Sequence, residues 1–255
     1  MLALDVPPIS HLVEWPDIAL KGSALAINKV TILFVIGAVL VMGFYLLAGT
    51  RKQMVPTGIQ GLAESAVSFV NDGIIMQTIG PDGMRFAPFL ISMFSFIFCL
   101  NLFEVIPFVQ MPPNARMALP LLLAVVVWII YNVVGVSKQG FFGYLKGIAF
   151  PPGVPIFLYI LVTPIELVSV LIVRPLSLSV RLFANLLAGH LILTTFAVMT
   201  SALFSSGFPG IVLAVLTFAL LVALTGFELL VAFLQAYIFS ILAAVYVGGA
   251  MHPEH

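Results

Sequence analysis

Charge is scarce in this sequence. Ten basic and ten acidic residues are spread over 255 positions, 8% of the chain, while 62% of the residues are hydrophobic. A water-soluble domain needs a polar face on every surface element, and so few charges cannot supply one. Lipid is therefore the solvent for most of the chain, in keeping with a mean hydropathy of +1.22. The formal net charge is zero, which excludes the basic footprint that a nucleic-acid partner requires. Cysteine is nearly absent: Cys99, alone inside an apolar run, cannot form an internal disulfide and reads as a small core residue. The first residues lack a basic region followed by an apolar stretch and a small-residue cleavage site, so no secretory signal is expected. The chain also carries no metal or nucleotide motif, no nucleophile–base pair and no internal repeat. These absences disfavour an enzyme and an inverted-repeat transporter, and neither cofactor nor metal is expected.

What is present is a succession of apolar runs. A bilayer core of about 30 Å takes roughly 20 apolar residues per helical span. Residues 1–27 are mixed and proline-bearing and read as an external N-terminal segment. The first span covers 30–48, closed by Arg51 and Lys52, whose charge marks the cytoplasmic side and places the N-terminus outside. Over 54–76, Ile59, Leu62, Ala66, Phe69 and Val70 recur at helical spacing with Gln60, Glu64, Ser68 and Asn71 between them. That pattern predicts an amphipathic helix on the membrane surface. Spans follow at 86–108 and 118–136, the second ending at Lys138 on the cytoplasmic side. The runs 156–204 and 210–250, split by Ser205-Ser206-Gly207-Phe208-Pro209-Gly210, are each longer than a perpendicular span needs. They predict a hairpin of two long, strongly tilted helices, the first bent at Pro164 and Pro175. The expected fold is an all-α polytopic membrane protein with about five membrane-embedded helices and one amphipathic surface helix. It forms a single membrane domain over 1–255, its C-terminus cytoplasmic.

Five ionisable side chains interrupt the apolar runs: Glu104, Glu166, Arg181, His190 and Glu228. Each costs about 2.5–3.5 kcal/mol in mid-membrane on insertion scales. Arg174 lies nearer the cytoplasmic end, where it can snorkel. Arg181 cannot release its proton. It is either a fixed positive charge that attracts a passing carboxylate and repels a proton, or a structural cation paired with Glu166 or Glu228. Ser177 and Asn185, four residues away on either side, share its face. His190, nine residues on, points to the opposite side of the helix; it is either a proton carrier titrating near neutrality or a hydrogen-bonded core histidine. Glu228 and Gln235 are seven apart on one face, and Tyr246 continues the stripe. Folding the chain back near residue 207 brings Glu228 opposite His190, a pair that could share a proton. Glu166 precedes Arg181 by 15 residues, about 22 Å along a straight helix towards the cytoplasm. Titratable groups on both sides of a fixed cation suit two offset half-channels, whereas one continuous polar pore would leak.

Three stretches also carry a family resemblance. PLSLSVRLFANLLAGH runs from Pro175 to His190, FELLVAFLQAYIF from Phe227 to Phe239, and NLFEVIP from Asn101 to Pro107. Together they resemble the signatures of ATP synthase subunit a. The resemblance implies that Arg181 is the stator arginine facing the ring of c subunits, with Asn185 and Gln235 as its polar neighbours. It implies an outer half-channel lined by Glu104, His190 and Glu228 and an inner one containing Glu166 and Ser169. Glu104 stands where many members carry Asp, the His and Glu of the outer pair are exchanged relative to some bacterial members, and the interval from Glu166 to Arg181 is one residue longer than in some relatives. By the same resemblance the chain is a non-catalytic, proton-translocating subunit of the rotary F-type enzyme. Its implied partners are the c-ring, the peripheral-stalk b subunits, the F1 sector indirectly, and lipid. The implied membrane is a bacterial plasma membrane, or alternatively an organelle inner membrane. No sodium-specific cluster is visible, so the expected ion is the proton. Two rival readings are a secondary transporter for an anionic solute and a non-transporting scaffold.

Overall fold

A computed structural model describes residues 28–50, 53–106, 113–150 and 155–251. The expected N-terminal segment, the Arg51–Lys52 pair, Pro107 and the connection around Pro151 lie outside the described residues. In hydrocarbon there is no water to satisfy backbone N–H and C=O groups, so a spanning segment must satisfy them within itself. Every regular element among the described residues is accordingly helical.

Helix α1 (Lys29–Thr50) is the first span. Helix α2 (Ile59–Val70) continues through a π turn, Asn71–Ile75, into Met76–Thr78. Its Ile59 and Leu62 are exposed, as an interfacial helix requires, but Gln60 is buried and bonds to the backbone of Gln53 and to Glu64. A short 3-10 helix, Pro81–Phe86, leads into α3 (Ala87–Leu102). The span expected over 86–108 therefore ends as a helix at Leu102, and Glu104 lies in the turn that follows, its N–H bonded to the Asn101 carbonyl.

Helix α4 (Ala118–Gln139) is a third span, and Gly140, at φ +73°, separates it from α5 (Phe141–Ala149). No span is expected over α5, and its Phe141, Phe142 and Leu145 are exposed. Tyr144 of α5 folds back against Gly135, where no larger residue fits, and its hydroxyl donates to Asn132 at 3.0 Å.

The penultimate run is not one uniform helix. It consists of α6 (Tyr159–Val168), a π turn (Ser169–Val173) and α7 (Arg174–Phe204). Pro164 lies inside α6 and Pro175 at the second position of α7, so both expected proline positions bracket the π turn. Helix α8 (Phe208–Met251) is unbroken over 44 residues, about 66 Å at 1.5 Å per residue. Twice the thickness of a hydrocarbon core cannot be crossed at right angles. Among the described residues, five helical stretches are long and apolar enough to cross a membrane, the last two with 46 and 44 residues.

The described residues form two compact units. One draws on Met1–Gly43, Phe96–Arg116 and Phe183–Ala236, the other on Phe44–Ser95, Met117–Leu182 and Tyr237–His255. In the first, α7 and α8 make an antiparallel hairpin: Thr200 donates to Thr217 at 3.1 Å and Asn185 to Gln235 at 3.1 Å. Gly207 closes the hairpin at φ +88°. A side chain in that left-handed region costs roughly 1–2 kcal/mol. Gly207→Ala is expected to lower the thermal midpoint of the detergent-solubilised protein; an unchanged midpoint would show that the turn tolerates a Cβ.

Candidate functional site

In the first unit the polar groups converge from three chain segments. Asn101, at the end of α3, donates its side-chain amide to the Ala232 carbonyl of α8 at 3.2 Å and accepts from Asn114 at 2.8 Å. This bridge ties the 101–106 turn to α8 and sets Glu104 among buried groups. Glu104 is 3% exposed and Glu228 6%, and the two carboxyl groups lie close enough to interact with each other. Both oxygens of Glu104 and Oε1 of Glu228 have no hydrogen-bond partner among the described residues. Burying carboxyl groups without partners is expensive, and here two such groups from separate segments stand side by side. Glu228 also lies directly against Gly189 of α7, where a methyl group would overlap its carboxylate. His190 is the next residue and is half-buried. The hairpin register thus brings Glu228 level with the Gly189–His190 step, as counting back from residue 207 suggests.

Helix α7 is two-faced around Arg181. Leu178, Leu182 and Leu186 are buried, while Ser177, Arg181 and Asn185 are exposed. Steps of four residues keep each set on its own face. Arg181 makes no ion pair with a carboxylate of its own unit among the described residues, Glu166 included. Gln235, which accepts from Asn185, is 3% exposed, and its amide nitrogen has no partner among the described residues.

The second unit holds Glu166 and Ser169, both half-buried, on α6 and at the start of the π turn. A straight helix from Glu166 to Arg181 is therefore not what forms: the π turn intervenes. Its bonding can be followed group by group. The Arg174 N–H reaches five residues back to the Ser169 carbonyl. Pro175 has no N–H to offer, so the Val170 carbonyl receives nothing from either. Two side chains of α4 fill the gap: Trp128 Nε1 donates to the Val170 carbonyl at 3.2 Å and Tyr131 Oη at 2.7 Å. Arg174 rests its guanidinium over the Tyr246 ring at 5.4 Å, and Tyr246 packs against Tyr131 at 5.7 Å. Among the described residues no group of three or more His, Cys, Asp or Glu could hold a metal ion.

The arrangement can hold protons on one set of buried carboxyls and present a guanidinium on an open helix face. A family model described as ATP synthase A chain matches residues 30–248. The chain belongs to the ATP synthase A chain family. It is 40% identical over 244 residues to ATP synthase subunit a of Frankia alni, covering 95% of this chain and 84% of that protein. It is 39% identical over 242 residues to its counterpart in Rhodococcus erythropolis, covering 94% and 88%. Against ATP synthase subunit a of Mesorhizobium japonicum it is 37% identical over 257 residues, with each chain covered in full. Family membership makes this a multi-pass membrane component of ATP synthase, and associates it with proton transport and ATP synthesis.

Within that family framework, three features were missed from sequence. Asn114 is a buried bridge to Asn101, and the only trace it leaves is a polar residue in a proline-rich loop. Gly189 makes room for a carboxylate, and Trp128 and Tyr131 serve a carbonyl on another helix.

Proposed function

We propose that this chain is the stator of a proton-driven rotary motor, with two offset half-channels separated by Arg181. The observation that carries the reading is the state of Arg181: a guanidinium on the exposed face of α7, with no acid of its own unit paired to it among the described residues. Such a charge needs a partner from outside, and a carboxylate on a ring of c subunits is a partner that can come and go. Protons enter from the outer side along Glu104, Glu228 and His190. A carboxyl beside a carboxylate can hand a proton across without moving any backbone, which is the use of the Glu104–Glu228 contact. A neutralised rotor carboxyl can face lipid, whereas a charged one cannot cheaply do so. After rotation the proton leaves past Glu166 and Ser169, and the ionised carboxylate returns to Arg181. Asn185 and Gln235, bonded to each other, hold the polar surroundings of the guanidinium. The driving term is about 2.3 kcal/mol per charge per 100 mV, so several protons together can supply a large conformational load.

In this reading the chain performs no catalysis by itself. Its partners are the c-ring, the peripheral-stalk b subunits and, indirectly, the F1 sector. It resides in a bacterial plasma membrane with its N-terminus outside and its C-terminus cytoplasmic. Reconstitution into vesicles tests the scheme: with a c-ring present, a membrane potential drives proton flux, and without the ring flux stays at the level of empty vesicles. Equal flux in both preparations would mean a self-contained channel or transporter and would sink the stator reading.

A further inference from the structure

The π turn at Ser169–Val173 decides how α7 is presented. A π turn takes up one residue more than an α turn, so it rotates everything after it by about 100° relative to everything before it. Glu166 lies before the turn and Arg181 after it. Removing the turn would swing the guanidinium off the face it now occupies. The turn itself is held by few interactions: its Ser169 carbonyl takes the Arg174 N–H, its Val170 carbonyl is left open by Pro175, and the opening is closed from α4. Trp128 and Tyr131 are three residues apart, on one face of that helix. Tyr131 is 2% exposed, so its hydroxyl has no water to turn to if the carbonyl moves away. A buried carbonyl left unpaired carries a desolvation penalty. The bond thus favours the π form over a plain helix.

We propose that Trp128 and Tyr131 are positioning residues for Arg181: by capping the Val170 carbonyl they hold the π turn, and with it the angle at which α7 presents the guanidinium. This rests on Arg181 acting as the stator cation. The two bonds are not equivalent. The shorter one, from Tyr131, carries more of the effect.

The experiment uses membrane vesicles containing the complete synthase and measures ATP-driven proton pumping per assembled complex. Tyr131→Phe keeps the ring and removes the donor; pumping is expected to fall about tenfold, and Trp128→Phe to give a smaller fall. Pro175→Ala supplies an N–H five residues after Val170, where a π turn places its donor. On its own this variant is expected to pump normally. In combination it should bring Tyr131→Phe back to within about twofold of the Pro175→Ala rate, since the carbonyl then has a partner again. A ring needed only for packing would show no such rescue. If Tyr131→Phe complexes fail to assemble, Trp128→Phe with and without Pro175→Ala decides by the same criterion. Parental pumping in Tyr131→Phe, an inactive Pro175→Ala, or a defect that Pro175→Ala leaves in place would each overturn the proposal. Arg181→Ala is measured alongside. If it pumps normally the stator reading itself is wrong, whereas an inactive Arg181→Ala beside a normal Tyr131→Phe removes only the positioning role.

Discussion

Replacing Arg181 with Ala is expected to abolish proton-coupled ATP synthesis while leaving the protein assembled. Both halves of that result follow from the same observation. Where a buried cation is paired within its own chain, deleting it strands the partner and costs about 3–5 kcal/mol of stability. Arg181 has no such partner in its own unit among the described residues and stands on an exposed face of α7, so its removal orphans no described carboxylate there. Function, by contrast, loses the exposed fixed charge that a returning rotor carboxylate could meet there. In surroundings of low dielectric such an encounter is worth several kcal/mol, which as a rate is a loss of about a hundredfold or more. Arg181→Lys keeps a charge but replaces a planar, permanently protonated fork with an ammonium that gives up its proton readily when desolvated. It is expected to retain only a small part of the activity. ATP synthesis by energised vesicles, normalised to complex recovered from the membrane, reads both variants. Parental synthesis by Arg181→Ala would mean that the charge is ornamental to coupling. Loss of the whole complex would mean that the guanidinium has a structural partner after all.

How far the molecule can be read from its residues depends on whether a feature is local. The long hairpin was legible because length alone demands it: α8 runs 44 residues without a break, and only a tilted or bent helix of that length suits a bilayer. The face shared by Ser177, Arg181 and Asn185 was legible because it needs nothing but helical periodicity. So was the pairing register of Glu228 with the Gly189–His190 step, since both arms are regular and the turn at Gly207 fixes the count. The π turn was not. Its sequence, SVLIV, is apolar and unremarkable as helix, and the decisive bond to the Val170 carbonyl comes from α4, about forty residues earlier in the chain. The closeness of Glu104 and Glu228 was equally out of reach. It depends on α3 ending early at Leu102 and on the Asn101 amide finding the Ala232 carbonyl, neither of which periodicity can report. Glu228 is expected to share a proton with His190, and its carboxylate does lie against Gly189, the residue before; that Glu104 also comes within reach of it is what periodicity does not report.

Gly189→Ala is expected to cut proton conduction with little effect on assembly, and Glu228→Asp in the same chain is expected to restore part of it. Gly189 is buried, and a Cβ there would overlap the Glu228 carboxylate, whose three atoms are its nearest neighbours. Because the obstacle is the end of a side chain, the helices need not separate; the carboxylate can be pushed aside instead. Its displacement is the functional cost, for the same carboxylate interacts with Glu104 and lies beside the His190 position. Overpacking of this kind costs about 1–3 kcal/mol, and placed on a proton-transfer step that is roughly a five- to hundredfold loss of rate. Asp at position 228 is shorter by one methylene and withdraws its carboxylate from the added methyl. A purely structural defect in the hairpin would not be relieved by shortening an acid, and Glu228→Asp alone would then be neutral or additive. Passive proton flux through vesicles stripped of F1, compared across the two single variants and the double, separates these cases. If Gly189→Ala conducts normally, the outer route does not pass through the Glu228 carboxylate, and the half-channel must be sought along another face of the hairpin.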